Sequence, residues 1–227
     1  MFGTVTKITD LSKTAKDITF SLPHDLPFIA GQFVNIFMDI EETKVRRAYS
    51  IASSDSVHNE VTLTLRHSPT GVMTPVIWKT DITGMKLEIV GPLGVNTADK
   101  LQGETIYLFG YGVGAGVTRS VLDHVIQHSN ATKIVVMTGS RSEDEILHKE
   151  YFDTMSHIDS RVTVKYVVSN PSMHVYLHGY IQDHLDNFSF NNADVYMCGH
   201  EVACNSLREK IRSKNPKGCT FLVEAFH

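Results

Sequence analysis

The sequence predicts an N-terminal antiparallel β-barrel followed by a C-terminal doubly wound parallel sheet with flanking helices. Up to residue 98, short alternating segments are separated by glycine and proline, which is typical of antiparallel barrels. From residue 103, compact apolar runs alternate with helical patterns, as in parallel sheets buried on both faces. A chain of 227 residues is long enough for two small domains. We therefore assign residues 1–98 to the barrel domain and residues 103–227 to the α/β domain.

The strands of the barrel are predicted from their period of two. Residues 60–66 alternate most clearly, with Val61, Leu63 and Leu65 on one face. The other predicted strands are 2–9, 18–22, 32–38 and 86–90, and one helix is expected over residues 72–79.

The second domain is predicted from apolar runs at 105–109, 133–138, 162–168 and 194–198. Helical patterns lie between or after them at 117–128, 143–155, 180–186 and 202–213. A last strand begins near residue 221. Strand–helix alternation of this kind favours parallel pairing with crossover helices.

Composition excludes several functional classes. The net charge of −4 gives no reason to expect nucleic-acid binding. No apolar run approaches 20 residues and no signal-peptide pattern is present, so we expect a cytoplasmic protein without a membrane segment. The three cysteines have no CxxC spacing and the twelve histidines show no HxH or HExxH pattern, so we expect no metal site.

The segment Arg47-Ala48-Tyr49-Ser50 offers a cation, an aromatic ring and a hydroxyl within four residues. On an extended strand, Arg47 and Tyr49 share one face, and Ala48 and Ser50 share the other. A flat cofactor that carries phosphate would use both the ring and the guanidinium. The alternative is a surface arginine beside a half-buried tyrosine.

Two glycine-containing segments are candidate phosphate sites. Residues 110–116 follow the first parallel strand and precede a helix, with GxGxG spacing rather than the GxGxxG of dinucleotide-binding units. In residues 66–74, Gly71 precedes a helix and Thr74 lies in its first turn, although Thr70 is equally explained as an N-cap. At the end of the second parallel strand, Ser140 and Arg141 are suited to a 2′-phosphate, or form a plain strand–helix turn.

Two further segments stand at strand ends. Cys198-Gly199 ends a parallel strand, where open α/β sheets bind ligands, although a free buried cysteine is also a common packing residue. Glu224 and Phe226 follow the last strand, and a ring held there is able to cover a flat ligand.

Taken in order, these motifs resemble those of the ferredoxin–NADP reductase superfamily over nearly the full length of the chain. The matching segments are Arg47-Ala48-Tyr49-Ser50, Gly71-Val72-Met73-Thr74, Gly112-Val113-Gly114-Ala115-Gly116, Cys198-Gly199 and Glu224-Ala225-Phe226. Each is weak alone, but five in the family's order make a strong signal.

The resemblance implies a flavin-binding barrel and a nicotinamide-binding domain, with FAD and NADPH or NADH as cofactors. Arg47 would pair with the diphosphate of FAD with help from Arg66, and Gly71, Val72, Met73 and Thr74 would seat it. Tyr49 would pack on the isoalloxazine, Ser50 would hydrogen-bond near N5, and Phe226 would shield the other flavin face. Cys198, Gly199 and Glu224 would line the place where nicotinamide meets flavin.

The chain departs from the family pattern at four places. Val117 and His200 stand where proline is usual, and Ala203 or Cys204 occupies a usual methionine region. His227 extends the chain beyond the aromatic residue. These departures leave the choice between NADH and NADPH open.

We therefore expect an FAD-dependent NAD(P)H oxidoreductase, monomeric or weakly dimeric, that passes electrons to a separate acceptor. Ferredoxin, flavodoxin, a monooxygenase component or a small oxidant all fit the residues. The alternatives are a free-flavin reductase, an electron-transfer subunit of a larger complex, and a nucleotide-binding module without turnover.

Overall fold

The computed structural model describes residues 1–226 and contains two six-stranded sheets, one in each half of the chain. The first sheet contains strands β1 (Phe2–Ser12), β2 (Ala15–Ser21), β3 (Phe33–Ile40), β4 (Thr43–Ser50), β5 (Glu60–Arg66) and β6 (Lys86–Leu93). Its order is β4-β3-β6-β1-β2-β5, and all its pairs are antiparallel. A bridge between Ile51 and Leu63 joins the two edge strands, so the sheet closes into the barrel that the sequence predicts.

The alternation in β5 places apolar side chains inside the barrel. Val61, Leu63 and Leu65 are all buried in its core. Helix α1 (Met73–Lys79) covers one end of the barrel through Met73 and Ile77. This helix begins one residue after the predicted start.

The second sheet is entirely parallel, with the order β10-β9-β8-β7-β11-β12. Its strands are β7 (Thr105–Tyr111), β8 (Lys133–Ser140), β9 (Val162–Val168), β10 (Leu177–His178), β11 (Ala193–His200) and β12 (Thr220–Phe226). The chain starts centrally at β7, moves outward through β8 to β10, and then returns to β11. The carboxyl ends of β7 and β11 therefore form the switch point at which open α/β sheets bind ligands.

Three α-helices cover this sheet: α2 (Gly114–His128), α3 (Lys149–Ile158) and α4 (Glu201–Arg212). Two helix predictions are wrong. Residues 143–155 do not form one helix, because a 3-10 turn at Glu143–Glu145 ends before His148, whose left-handed φ of 55° precedes α3. The predicted helix at 180–186 is a 3-10 turn, Ile181–His184, closed by the Asp183 carboxylate, which accepts from the Tyr180 amide at 2.8 Å.

Helix α2 joins the two halves of the molecule. A Cβ on Gly116 would lie 2.1 Å from Thr64 Oγ1 of β5, so helix and barrel are in direct contact at this glycine. Ser120 Oγ donates to the Ser53 carbonyl at 2.6 Å. The link from β6 to β7 contains a 3-10 turn at Ala98–Lys100. The exact domain boundary stays a prediction. No helix within residues 1–226 is long and apolar enough to cross a membrane.

Candidate functional site

A cavity of about 1330 Å³ lies between the barrel and the carboxyl ends of the parallel strands. It brings together most of the predicted site residues from both halves of the chain. Those that line it are Arg47, Ala48, Tyr49, Ser50, Arg66, Gly71, Val72, Met73, Thr74, Gly112, Ser140, Arg141, Glu224 and Phe226. Those that are not among its lining residues are Gly114, Ala115, Gly116, Cys198 and Gly199.

On the barrel side, the end of β4 forms one wall. Tyr49 lies opposite Val34 of β3 and is partly buried against the barrel core, with its hydroxyl 3.6 Å from Met73 Sδ. Burial raises the pKa of Tyr49 to about 12, so the ring remains a neutral phenol at physiological pH. Arg47 is exposed and donates to the Arg46 carbonyl at 2.7 Å. A rigid ring therefore stands beside a solvated cation.

The loop before α1 is closed by Thr74. Its hydroxyl donates to the Ser68 carbonyl at 3.2 Å and accepts from the Ser68 amide at 3.0 Å. The residue that precedes the helix is Val72, and it supplies no side-chain cap. Thr70 therefore does not cap the helix, and that alternative is wrong. The first amides of α1 lie uncapped beside the cavity that Val72 and Met73 line.

Arg66 spans the two halves of the chain. Its Nη2 lies 3.1 Å from the Glu145 carboxylate, to which the Thr14 hydroxyl also donates. It also crosses the glycine loop, since a Cβ on Gly112 would lie 3.0 Å from Nη2. Glu145 also lines the cavity, although it is 79 residues from Arg66 in the sequence. No local pattern signals such a contact.

The glycine loop divides into a glycine that faces the cavity and two that serve packing. Gly112 lines the cavity with φ +53°, a conformation that favours glycine. Gly114 starts α2, and a Cβ there would lie 2.2 Å from the Cys198 carbonyl oxygen. Gly116 meets the barrel at Thr64, and Ala115 is buried between them. The predicted cofactor contacts of Gly114, Ala115 and Gly116 therefore stay predictions, while their packing contacts are evident.

Cys198 is fully buried at the end of β11. Its thiol packs in the apolar cluster that Phe226 borders, and burial raises its pKa well above the ordinary value. Gly199 brings the strand end against Tyr111, where a Cβ would come within 2.6 Å of the Tyr111 Cβ. Cys198 lies beneath the wall of the cavity, and its predicted contact with nicotinamide stays a prediction.

The two halves of the chain meet at Ser50 and Glu224. Ser50 Oγ donates to Glu224 Oε1 at 3.3 Å, across 174 residues of sequence. Glu224 pairs in register with Cys198, and the following Phe226 pairs with His200, so both lie at the carboxyl end of the parallel sheet. The pKa of Glu224 is raised because burial outweighs the opposing hydrogen bonds from Ser50 and Asn96. This carboxyl therefore binds a proton more readily than a solvent-exposed glutamate does.

The end of β8 forms the opposite rim. Ser140 Oγ donates to the Ser142 carbonyl at 3.1 Å, and Arg141 is exposed at the cavity. Two further residues line the cavity and share a hydrogen bond of 3.3 Å: Tyr111, within the predicted glycine segment, and Gln182, which no sequence pattern marks. Burial raises the pKa of Tyr111 far above its ordinary value, so it remains a donor.

Comparison with known proteins identifies both halves. Residues 3–97 match the model of the oxidoreductase FAD-binding domain, and residues 108–208 match that of the oxidoreductase NAD-binding domain. The chain belongs to the ferredoxin–NADP reductase superfamily. FAD and a nicotinamide nucleotide are therefore its cofactors.

Individual proteins are similar to this chain over different lengths. The reductase component DmpP of phenol 2-monooxygenase from Pseudomonas sp. strain CF600 is 31% identical over 156 residues, covering 68% of this chain and 43% of that protein. Ferredoxin–NADP reductase B of Sorangium cellulosum strain So ce56 is 24% identical, covering 91% of this chain and 89% of that protein. The Amycolatopsis cytochrome P450 reductase GcoB shares the fold, with a TM-score of 0.88 at 20% identity over 99% of this chain and 69% of that one. The chain spans less than half the length of the first curated relatives it matches.

The residues present fit the superfamily's cofactors. The barrel wall offers Tyr49, Arg47 and an uncapped helix start, which suit a flat ring joined to a diphosphate. The opposite wall offers the positive-φ glycine Gly112 and the cation Arg141. Both walls open into one cavity.

Proposed function

We propose that this chain is an FAD-dependent NAD(P)H oxidoreductase that passes electrons to a separate acceptor. The observation that carries this proposal is the meeting of Ser50 from the barrel with Glu224 and Phe226 from the parallel sheet in one cavity. When bound, the flavin and the nicotinamide supply the hydride chemistry, and the protein contributes geometry, exclusion of water and proton positions.

On the barrel side, each residue has a distinct role. Tyr49 packs on the isoalloxazine, since its ring is fixed by burial and by Met73. Arg47 and Arg66 neutralise diphosphate, with the uncapped start of α1 adding partial positive charge. For Arg66 this role competes with its pairing to Glu145.

On the nicotinamide side, Phe226 would cover the flavin ring and would leave that position when nicotinamide binds. Its ring is half-buried and packs against the cluster that contains Cys198. Glu224 accepts the hydrogen bond of the Ser50 hydroxyl where the two halves of the chain meet, and burial raises the pKa of its carboxyl. Ser140 and Arg141 receive the 2′-phosphate if NADPH is the donor.

The acceptor belongs to the same proposal. DmpP is described as the reductase component of a monooxygenase, and the Sorangium relative as a ferredoxin–NADP reductase. An oxygenase component is therefore the acceptor we favour, and ferredoxin or flavodoxin is the second choice.

The test is an anaerobic titration of the purified, FAD-loaded chain with NADH or NADPH, followed by its visible spectrum. We expect the flavin absorbance to bleach, and the faster nucleotide identifies the donor. Ser50→Ala should retain flavin but slow its reduction, because the hydroxyl next to the reacting edge is lost. Ser54→Ala is the matched control, since its hydroxyl bonds only within its own loop at Ser56.

Two outcomes would contradict the proposal. If neither NADH nor NADPH reduces the bound flavin, the chain is a flavin-binding subunit rather than an NAD(P)H oxidoreductase. A protein that binds no FAD would instead favour the free-flavin reductase. Equal reduction rates in Ser50→Ala and Ser54→Ala would remove Ser50 from the mechanism.

A further inference from the structure

A cluster of metal-ligating side chains lies at the domain interface, outside the cavity. His124 and His128 are four residues apart on α2 and therefore share a face. Asp55 comes from the barrel, in the loop between β4 and β5. One ligand atom from each residue lies within 4.8 Å of the others. None of these three residues lines the cofactor cavity.

We propose that Asp55, His124 and His128 bind one divalent transition-metal ion, with Zn²⁺ as the preferred ion. Two imidazoles and one carboxylate are the donor types that Zn²⁺ takes, with a water in the fourth position. A pair of histidines four residues apart on a helix is a common way to present two nitrogens to one ion. The third donor comes from the other domain, so the ion is a bridge.

The local charge favours a cation. Asp55 is buried, and its Oδ2 accepts a hydrogen bond from the Ala30 amide at 3.0 Å and lies 2.6 Å from His124 Nδ1. His128 is the last residue of α2, where the helix dipole adds partial negative charge.

Only small side-chain movements separate the structure from a metal complex. His124 Nδ1 now lies 2.6 Å from Asp55 Oδ2, and the two histidine rings are 4.6 Å apart between centroids. Ligand atoms around tetrahedral Zn²⁺ are roughly 3.4 Å apart. The Asp55–His124 hydrogen bond therefore opens slightly, while the exposed His128 ring rotates inward. The proton leaves the nitrogen that binds the metal, and the imidazole stays neutral with its proton on the other nitrogen.

An ion here would fix the two domains relative to each other. The Asp55 loop continues from Ser50 and is already tied to α2 by the bond from Ser120 Oγ to the Ser53 carbonyl. Helix α2 starts at the glycine loop of the nicotinamide side. The metal would therefore connect the strand that ends at Ser50 with the helix that starts at Gly114.

The test is direct metal binding by the FAD-loaded chain of 227 residues after treatment with EDTA and desalting. Calorimetric titration with ZnCl₂ should give one ion per chain, and Co²⁺ should give the visible bands of a tetrahedral site. Thermal unfolding should shift upward as Zn²⁺ is added, since the ion binds only the folded arrangement.

His128→Gln is the decisive variant because this side chain is exposed and its loss leaves the Asp55–His124 bond in place. It should weaken Zn²⁺ binding by roughly 10- to 100-fold or more. His174→Gln, an exposed histidine outside the cluster, is the control and should bind like the wild type. The proposal is overturned if the wild type shows no saturable binding, if His128→Gln binds equally well, or if both variants lose affinity alike.

Discussion

Replacing Gly114 by alanine tests whether this glycine of the nicotinamide loop is required for packing. It starts α2, and a Cβ there would lie 2.2 Å from the carbonyl oxygen of Cys198. Real Cβ contacts essentially never fall below 3.0 Å, so helix and strand would have to separate by about 0.8 Å. The clashing atom belongs to the backbone of a paired strand, so it cannot move away by a change of side-chain rotamer.

The magnitude follows from two opposing effects. Overpacking of a close-packed contact costs about 1–3 kcal/mol. The higher helix propensity of alanine returns up to about 1 kcal/mol, and less at a helix terminus. We therefore expect Gly114→Ala to lower the free energy of unfolding by about 1–2 kcal/mol and the Tm by roughly 2–8 °C.

The assay is thermal and urea unfolding of the FAD-loaded protein, followed by circular dichroism. The control is Gln127, which is exposed on the same helix. The Gln127→Ala protein should be more stable than the Gln127→Gly protein. Their difference in stability measures the helix propensity of alanine over glycine at a position where no clash occurs. If Gly114→Ala is as stable as the wild type, the packing argument is refuted. The predicted contact of Gly114 with the cofactor would then be the remaining explanation for this glycine.

Three further predictions concern the cavity. Phe226→Ala should tighten oxidised-nucleotide binding by about 2- to 10-fold in an equilibrium titration, because the competing ring is lost; an unchanged Kd would remove the shielding role. Arg141→Ala should weaken NADPH by roughly 10- to 100-fold in Kd and leave NADH nearly unaffected, whereas equal losses would place the 2′-phosphate elsewhere. Glu224→Gln should be more stable than the wild type near pH 8 and equal to it near pH 3.5, because a raised folded pKa makes the wild type lose stability as pH rises above about 4.5. Urea unfolding at both pH values measures this, and a pH-independent difference would contradict it.

The fold class was accessible from the sequence because its signals are local. A period of two in residues 60–66 and the apolar run at 162–168 match the bounds of β5 and β9. The helix error at 180–186 arose from a local hydrogen bond, in which the Tyr180 amide donates to the Asp183 carboxylate. The helix error at 143–155 arose where the local pattern met a tertiary constraint. Residues 143–145 are held by the partners of Glu145, and a left-handed residue at His148 interrupts the apparent helix.

The candidate site was accessible in part, for the same reason. Each motif is short and lies within one strand or turn, as Arg47, Tyr49 and Ser50 do at the end of β4. The proposed metal ligands show the opposite case. His124 and His128 have a readable spacing, but the third ligand, Asp55, is 69 residues before His124.

By itself, the sequence determined two domains of different fold class, the order of the cofactor motifs and the superfamily. These follow from short-range periodicity and from residue types within a few positions of one another. The tertiary structure alone decided that Ser50 meets Glu224, that Arg66 pairs with Glu145, and that Gly114 packs against Cys198. Such contacts depend on how strand order and helix packing bring distant segments together, and no local pattern encodes a distance across the fold.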